Sequence, residues 1–135
     1  MTLFSNPQIV LFVRDIERAL AFYSVIGFTE VYRVPDVPGQ EPVHVDLELD
    51  GYRLGLATEE TTRLDHGLDP VTTGQRAAVI LWTHDAGAAY ARLADLGATP
   101  VHPPHPFLDR LVIAWAEDPE GHPIQVVQAV SVNAD

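Results

Sequence analysis

DIERALAFYSVIGF, residues 15–28, returns seventy residues later as DAGAAYARLADLGA, residues 85–98. Asp15 meets Asp85, Ala19 meets Ala89 and Gly27 meets Gly97, all at one offset. The same offset carries Gly51 of ELDGYRLGLA onto Gly121 of DPEGHPIQVV and sets Gly55 on Gln125. Chance similarity does not hold register over such a length without a gap. The chain therefore reads as a duplicated unit, and that repeat decides the architecture before any single element is assigned.

Each copy has the same order. A β-rich run comes first, QIVLFV (residues 8–13) and then AAVILWT (residues 77–83). An Asp follows as a predicted N-cap, because its carboxylate can accept from the free N–H groups of a first helical turn. The helix runs to Gly27 or Gly97, since glycine suits the conformation in which helices end. In the first helix Ile16, Leu20 and Tyr23 recur at the spacing of a buried stripe. Three strand-like segments come next, TEVYRV, VHVDLEL and YRLGLA in the first copy and ATPVH, LVIAWAE and PIQVVQA in the second. The pattern predicts an α+β fold of two tandem βαβββ modules, at about residues 6–58 and 76–130, forming one domain over residues 1–135. The stretch at about 59–75 has no clear period and is read as a connecting loop. VHPPHPF is read as a second loop, because its prolines do not fit a central strand.

Bulk composition narrows the function classes. Eight Lys and Arg against nineteen Asp and Glu leave a formal charge of −11. Such a field repels phosphate backbones and anionic membranes, which argues against nucleic-acid and membrane partners and favours a cationic or neutral ligand. Cysteine is absent, which removes disulfides, thiolate nucleophiles and cysteine metal sites and agrees with a reducing cytoplasm. No apolar stretch reaches the ~20 residues that span a bilayer, and the N-terminus carries no secretory pattern, so a cytoplasmic location is expected. Glycine-rich phosphate loops and nucleophile elbows are missing, and Ser5, Ser24 and Ser131 have no context that marks a nucleophile.

Two βαβββ units, each with an Asp-led helix ending at Gly, and a closing DPxGHxIQ strand resemble the vicinal oxygen chelate superfamily. That group includes glyoxalase I, the extradiol dioxygenases, fosfomycin resistance enzymes and bleomycin resistance proteins. The resemblance runs from Gln8 to Gln128 and implies curved mixed sheets around a cleft, often completed in a homodimer. Metal-using members place a His or Gln in the first strand of each unit and a Glu in the last. Those positions fall here on Gln8, Gly55, Ala78 and Gln125: two neutral amides and two residues with no donor. Amide oxygens are weak ligands for a divalent cation without a carboxylate to balance its charge. The resemblance therefore implies no metal at the usual site and no cofactor, in the manner of the bleomycin resistance-like branch.

Strand parity supplies the candidate site. A two-residue turn at Asp50 and Gly51 would put Leu49, Leu47 and Val45 opposite Tyr52, Leu54 and Leu56, on the face against the helix. The other face would carry His44 opposite Ala57, Asp46 opposite Gly55, and Glu48 opposite Arg53 as a cross-strand ion pair. Asp46 would point into the space of the missing carboxylate, beside His44. His44 and Asp46 are the candidates for a catalytic pair, a substitute ligand pair or an anchor for a cationic ligand. Gln8, Val10 and Phe12 share that face with Arg53. The same parity applied to the second unit puts Ala78, Ile80 and Trp82 on its cleft face, with Gln125 beside Ala114 and Val127 and with Trp115 turned under the helix. His102 and His105 are not expected to chelate, because the prolines between them deny them a helical face. His66, His84 and His122 are expected in exposed loops or turns.

These observations predict a metal-independent small-molecule binding protein. Its ligand is expected to be cationic or aromatic and held by Gln8, Val10, Phe12, His44, Asp46, Arg53, Ile80, Trp82 and Gln125. A toxic or antibiotic-like compound is one such ligand, and a regulatory metabolite is another. The alternative is a glyoxalase-like lyase or isomerase, or a dioxygenase, with Gln8, Gln125, His44 and Asp46 around an atypical divalent metal.

Overall fold

The computed structural model describes Leu3, residues 5–71, Gly74 and residues 77–130. Arg76, the expected start of the second module, and Ser131 lie outside the described residues. The chain divides into two compact units, residues 1–72 and 73–135. Among the described residues no helix is long and apolar enough to cross a membrane.

The first unit comprises β1 (Ile9–Val13), α1 (Ile16–Val25), β2 (Thr29–Val34), β3 (His44–Leu49), β4 (Tyr52–Thr58) and α2 (Glu59–His66). Its sheet has the order β1-β4-β3-β2, with β1 parallel to β4 and the other pairs antiparallel. The helix begins where the sequence places it, since Asp15 accepts from the Arg18 backbone N–H at 3.1 Å. It stops at Ile26, and Gly27 follows at φ 125°, a backbone angle that costs glycine little. Ile16, Ala19, Phe22 and Tyr23 are buried, and Tyr23 meets Phe22 and Phe28 edge-on. Against this stripe lie Leu11, Val13, Val45, Leu47, Leu54 and Leu56, all buried. At roughly 1.5–3 kcal/mol for each large aliphatic side chain removed from water, this face holds the unit together and fixes its register.

The hairpin between β3 and β4 forms as the parity argument requires. Asp50 and Gly51 both take positive φ, 52° and 83°, the signature of a two-residue turn whose twist matches the strands. Leu49 pairs with Tyr52, Leu47 with Leu54, Val45 with Leu56, Glu48 with Arg53, Asp46 with Gly55 and His44 with Ala57.

The second unit repeats the order: β5 (Val79–Trp82), α3 (Ala86–Asp95), β6 (Thr99–Phe107), β7 (Leu111–Glu117) and β8 (Pro123–Ala129). Its sheet is ordered β5-β8-β7-β6, with β5 parallel to β8. Asp85 caps α3 by accepting from the Ala88 N–H at 3.0 Å, and Gln128 Oε1 accepts from the Ala86 N–H at 2.8 Å.

Four expectations are corrected. The connection read as a loop contains α2, capped by Thr58 and ended by Gly67 at φ 69°. It escapes a search for periodicity because only Thr62 on it is buried, so no apolar stripe exists to be seen. His66 is accordingly the last residue of a helix. The proline-rich run belongs to β6, an edge strand, where a missing N–H faces no partner. His122 is half-buried, with Nδ1 2.8 Å from Asp118 Oδ2.

The fourth correction concerns register. β7 and β8 are joined by five residues, 118–122, and not by a two-residue turn. Asp118, itself buried, accepts from the backbone N–H groups of Glu120 and His122 at 2.8 and 2.9 Å and so closes this longer loop. Trp115 consequently pairs with Gln125, while Ala114 pairs with Val126 and Ala116 with Ile124. The slip of one residue turns every β7 side chain to the other face. Ala114 and Ala116 lie buried with Ile124 and Val126, and Trp115 joins Gln125.

Candidate functional site

The open face of the first sheet gathers a polar cluster around one carboxylate. Asp46 is only 6% exposed. Its Oδ1 accepts from Gln8 Nε2 at 3.1 Å and lies 2.7 Å from His44 Nε2, and its Oδ2 lies 3.4 Å from Arg53 Nη1. Strand geometry explains the gathering. His44 and Asp46 alternate onto one side of β3, while Arg53 stands diagonal to Asp46 across the ladder. Arg53 thus leans toward Asp46 more closely than toward Glu48, whose Oε2 is 3.9 Å from Arg53 Nε. The expected Glu48–Arg53 pair is the longer and weaker contact.

Gly55 makes the cluster possible. A Cβ there would stand 3.0 Å from Val10 Cγ2, 3.2 Å from Asp46 Oδ1 and 3.3 Å from Gln8 Nε2. The space beside position 55 is therefore filled by the Asp46 carboxylate and the Gln8 amide. Val10 and Phe12, on the same face of β1, pair with Gly55 and Ala57. They give the polar cluster an apolar border.

Chemically, a carboxylate accepts and does not donate, so the His44 ring proton sits on Nε2 in this contact. In the neutral ring Nδ1 is left as an acceptor. Arg53, whose side chain is 42% exposed, supplies the positive charge that a nearly buried carboxylate needs.

The open face of the second sheet is mainly apolar, with Gln125 and Glu117 as its polar side chains. Ile80 pairs with Gln125 and Trp82 with Val127, and Ile80 and Trp82 remain 55% and 65% exposed. Gln125 makes no side-chain hydrogen bond to another described residue. Trp115, missed by the parity argument, adds its ring and lines a depression of about 480 Å³ with Ala77, Ala78, Val101, Glu117 and Pro123. The signal that could have found it is DPEGHP itself, whose Asp and Gly suit a loop longer than a tight turn.

The model of the Glyoxalase/Bleomycin resistance protein/Dioxygenase superfamily matches residues 6–126. The chain belongs to this superfamily.

Solved structures of similar fold agree with that membership. A hypothetical protein from S. aureus superposes with a TM-score of 0.79 at 16% identity, covering 95% of this chain and 96% of that one. A glyoxalase-related enzyme from Fulvimarina pelagi gives 0.75 at 16% identity over 93% and 88% of the two chains. A fosfomycin resistance protein from Mesorhizobium loti gives 0.65 at 15% identity over 96% of each. Likeness at such identities speaks to fold alone. A comparison with curated proteins finds no match.

The superfamily's metal can be tested against the side chains at its four positions. Gly55 and Ala78 offer no donor, Gln8 turns its amide N–H toward Asp46, and Gln125 adds one neutral amide. Asp46 places a carboxylate beside position 55, and its oxygens already face an amide, an imidazole and a guanidinium. Among the described residues no group of three or more His, Cys, Asp or Glu side chains is arranged to hold an ion. The donor set does not fit the superfamily's metal.

Proposed function

We propose that this protein binds a small organic molecule without a metal ion, holding it against the open face of the first sheet, and that it serves to sequester a toxic or antibiotic-like compound. One observation carries the reading. Asp46, the carboxylate beside position 55, is already paired with Arg53 and Gln8, which supports a site that works without a divalent ion. Recognition then rests on the acceptor at His44 Nδ1, bordered by Val10 and Phe12. Ile80, Trp82 and Gln125 offer an apolar surface with a single amide, the mixture common in small-molecule sites. A formal charge of −11 favours a cationic or aromatic ligand. A homodimer in a reducing cytoplasm completes the proposal.

The test is a thermal-shift and tryptophan-fluorescence titration with a panel of cationic and aromatic natural products, with and without chelator. A ligand that stabilises the protein equally in both conditions, and loses affinity in Asp46→Ala, supports the reading. A panel without binders, or stabilisation abolished by chelator, overturns it. Light scattering tests the dimer.

A further inference from the structure

His102 and His105 lie on β6, three residues apart, and strict alternation would send them to opposite sides of the strand. Proline has no N–H for the ladder, and the pairing of β6 with β7 shifts between Pro100 and His102 and again between His102 and His105. The rings come together with centroids 4.1 Å apart and planes inclined by 40°. The proline-bearing stretch that denies the pair a helical face carries the register shifts at which their rings meet.

Their hydrogen bonds fix how the rings point. His102 Nδ1 is 3.2 Å from the carbonyl oxygen of Pro103, and His105 Nδ1 is 2.9 Å from the same oxygen. A carbonyl can only accept, so each ring carries its proton on Nδ1 in these contacts. Each neutral ring then has its lone pair on Nε2, and neither Nε2 has a partner among the described residues. A histidine that ligates a metal usually donates its other ring N–H to a carbonyl or carboxylate, which sets the tautomer and raises basicity. Both rings already satisfy that condition.

We propose that His102 and His105 form a two-histidine site for a divalent transition-metal ion, Cu²⁺ or Ni²⁺, bound through both Nε2 atoms. An ion ~2.1 Å from Nε2 stands about 3.2 Å from the centre of that ring, so ring centres 4.1 Å apart lie within the span that one ion can bridge. Imidazole nitrogens suit Cu²⁺ and Ni²⁺, and copper stands above zinc in affinity for such donors. Pro103 and Pro104 restrict the backbone between the two rings, so little entropy is lost on binding. An edge strand leaves the ion accessible, and water or an outside ligand fills its remaining positions. Neither histidine is at a superfamily metal position, so the site is independent of the reading of the first unit.

The test uses the full chain without an affinity tag, stripped of metal and titrated by calorimetry with Cu²⁺, Ni²⁺ and Zn²⁺ in a non-coordinating buffer. One Cu²⁺ per chain is expected, bound more tightly than Zn²⁺. Affinity should fall about tenfold or more in His102→Ala and in His105→Ala and stay unchanged in His44→Ala. Long-range ¹⁵N spectra of the metal-free protein should show the Nδ1–H tautomer on both rings. Copper affinity unchanged in both alanine variants, no binding, or a preference for zinc would overturn the proposal. Circular dichroism of each variant separates loss of the ligand from loss of the fold.

Discussion

Gly55→Ala is the smallest change that asks whether Asp46 fills the space beside position 55. The added methyl would lie 3.0 Å from Val10 Cγ2, 3.2 Å from Asp46 Oδ1 and 3.3 Å from Gln8 Nε2, each inside ordinary van der Waals contact. Gln8 can swing its amide away, but Asp46 is held between His44, Gln8 and Arg53 and yields less readily. Overpacking of this kind costs roughly 1–3 kcal/mol. Alanine in place of glycine within a strand returns about 0.5–1 kcal/mol by restricting the unfolded chain. The net expectation is a loss of about 1 kcal/mol, with about 2.5 kcal/mol as the upper end. Urea denaturation should show it as a midpoint lower by roughly 0.5 M. In an Asp46→Ala background one of the three contacts disappears, so the alanine at position 55 should cost at least about 0.5 kcal/mol less. A midpoint equal to or above that of the unchanged protein would refute the reasoning, because it would mean that position 55 faces open space.

Asp118→Ala removes the acceptor for two backbone N–H groups and for His122 Nδ1, and should cost about 2–3 kcal/mol in urea; a loss below about 0.5 kcal/mol would show that the five-residue loop closes without it. Glu30 bonds Arg33 through both carboxylate oxygens, at 2.8 and 2.9 Å, and this pairing holds its carboxyl below the ordinary 4.5. Its small contribution to stability is therefore present above the unfolded pKa and lost as pH falls through the lowered folded value. Carboxyl NMR should place the Glu30 midpoint below 4.5 and return it toward that value in Arg33→Ala; a midpoint unmoved by the substitution would break the assignment.

The β3–β4 hairpin of the first unit was legible to the residue because one signal fixed its register. Asp50-Gly51 dictates a two-residue turn, and the apolar alternation of Val45, Leu47, Leu54 and Leu56 admits one register, so the placement of His44, Asp46 and Arg53 followed. The second unit was legible as a repeat, but its hairpin was not, because Asp118 builds a loop with its side chain and repeat symmetry gives no hint of that. One residue of slip then exchanged Trp115 for Ala114 on the open face. Helix α2 lacked the apolar stripe that makes a helix visible in sequence. The meeting of His102 and His105 depends on two irregularities in a proline-bearing edge strand, and no periodicity encodes it. Function was less legible than fold, since loss of the ligand positions says what the site lacks and not what it holds.

The most direct test of the metal-independent reading is metal content by mass spectrometry. The His102→Ala/His105→Ala protein would be incubated with zinc, nickel, manganese and ferrous iron and desalted without chelator. No bound ion is expected, in this protein or after Asp46→Ala. About one ion per chain, lost on Asp46→Ala or His44→Ala, would contradict it and would make the polar cluster of the first unit an atypical metal centre.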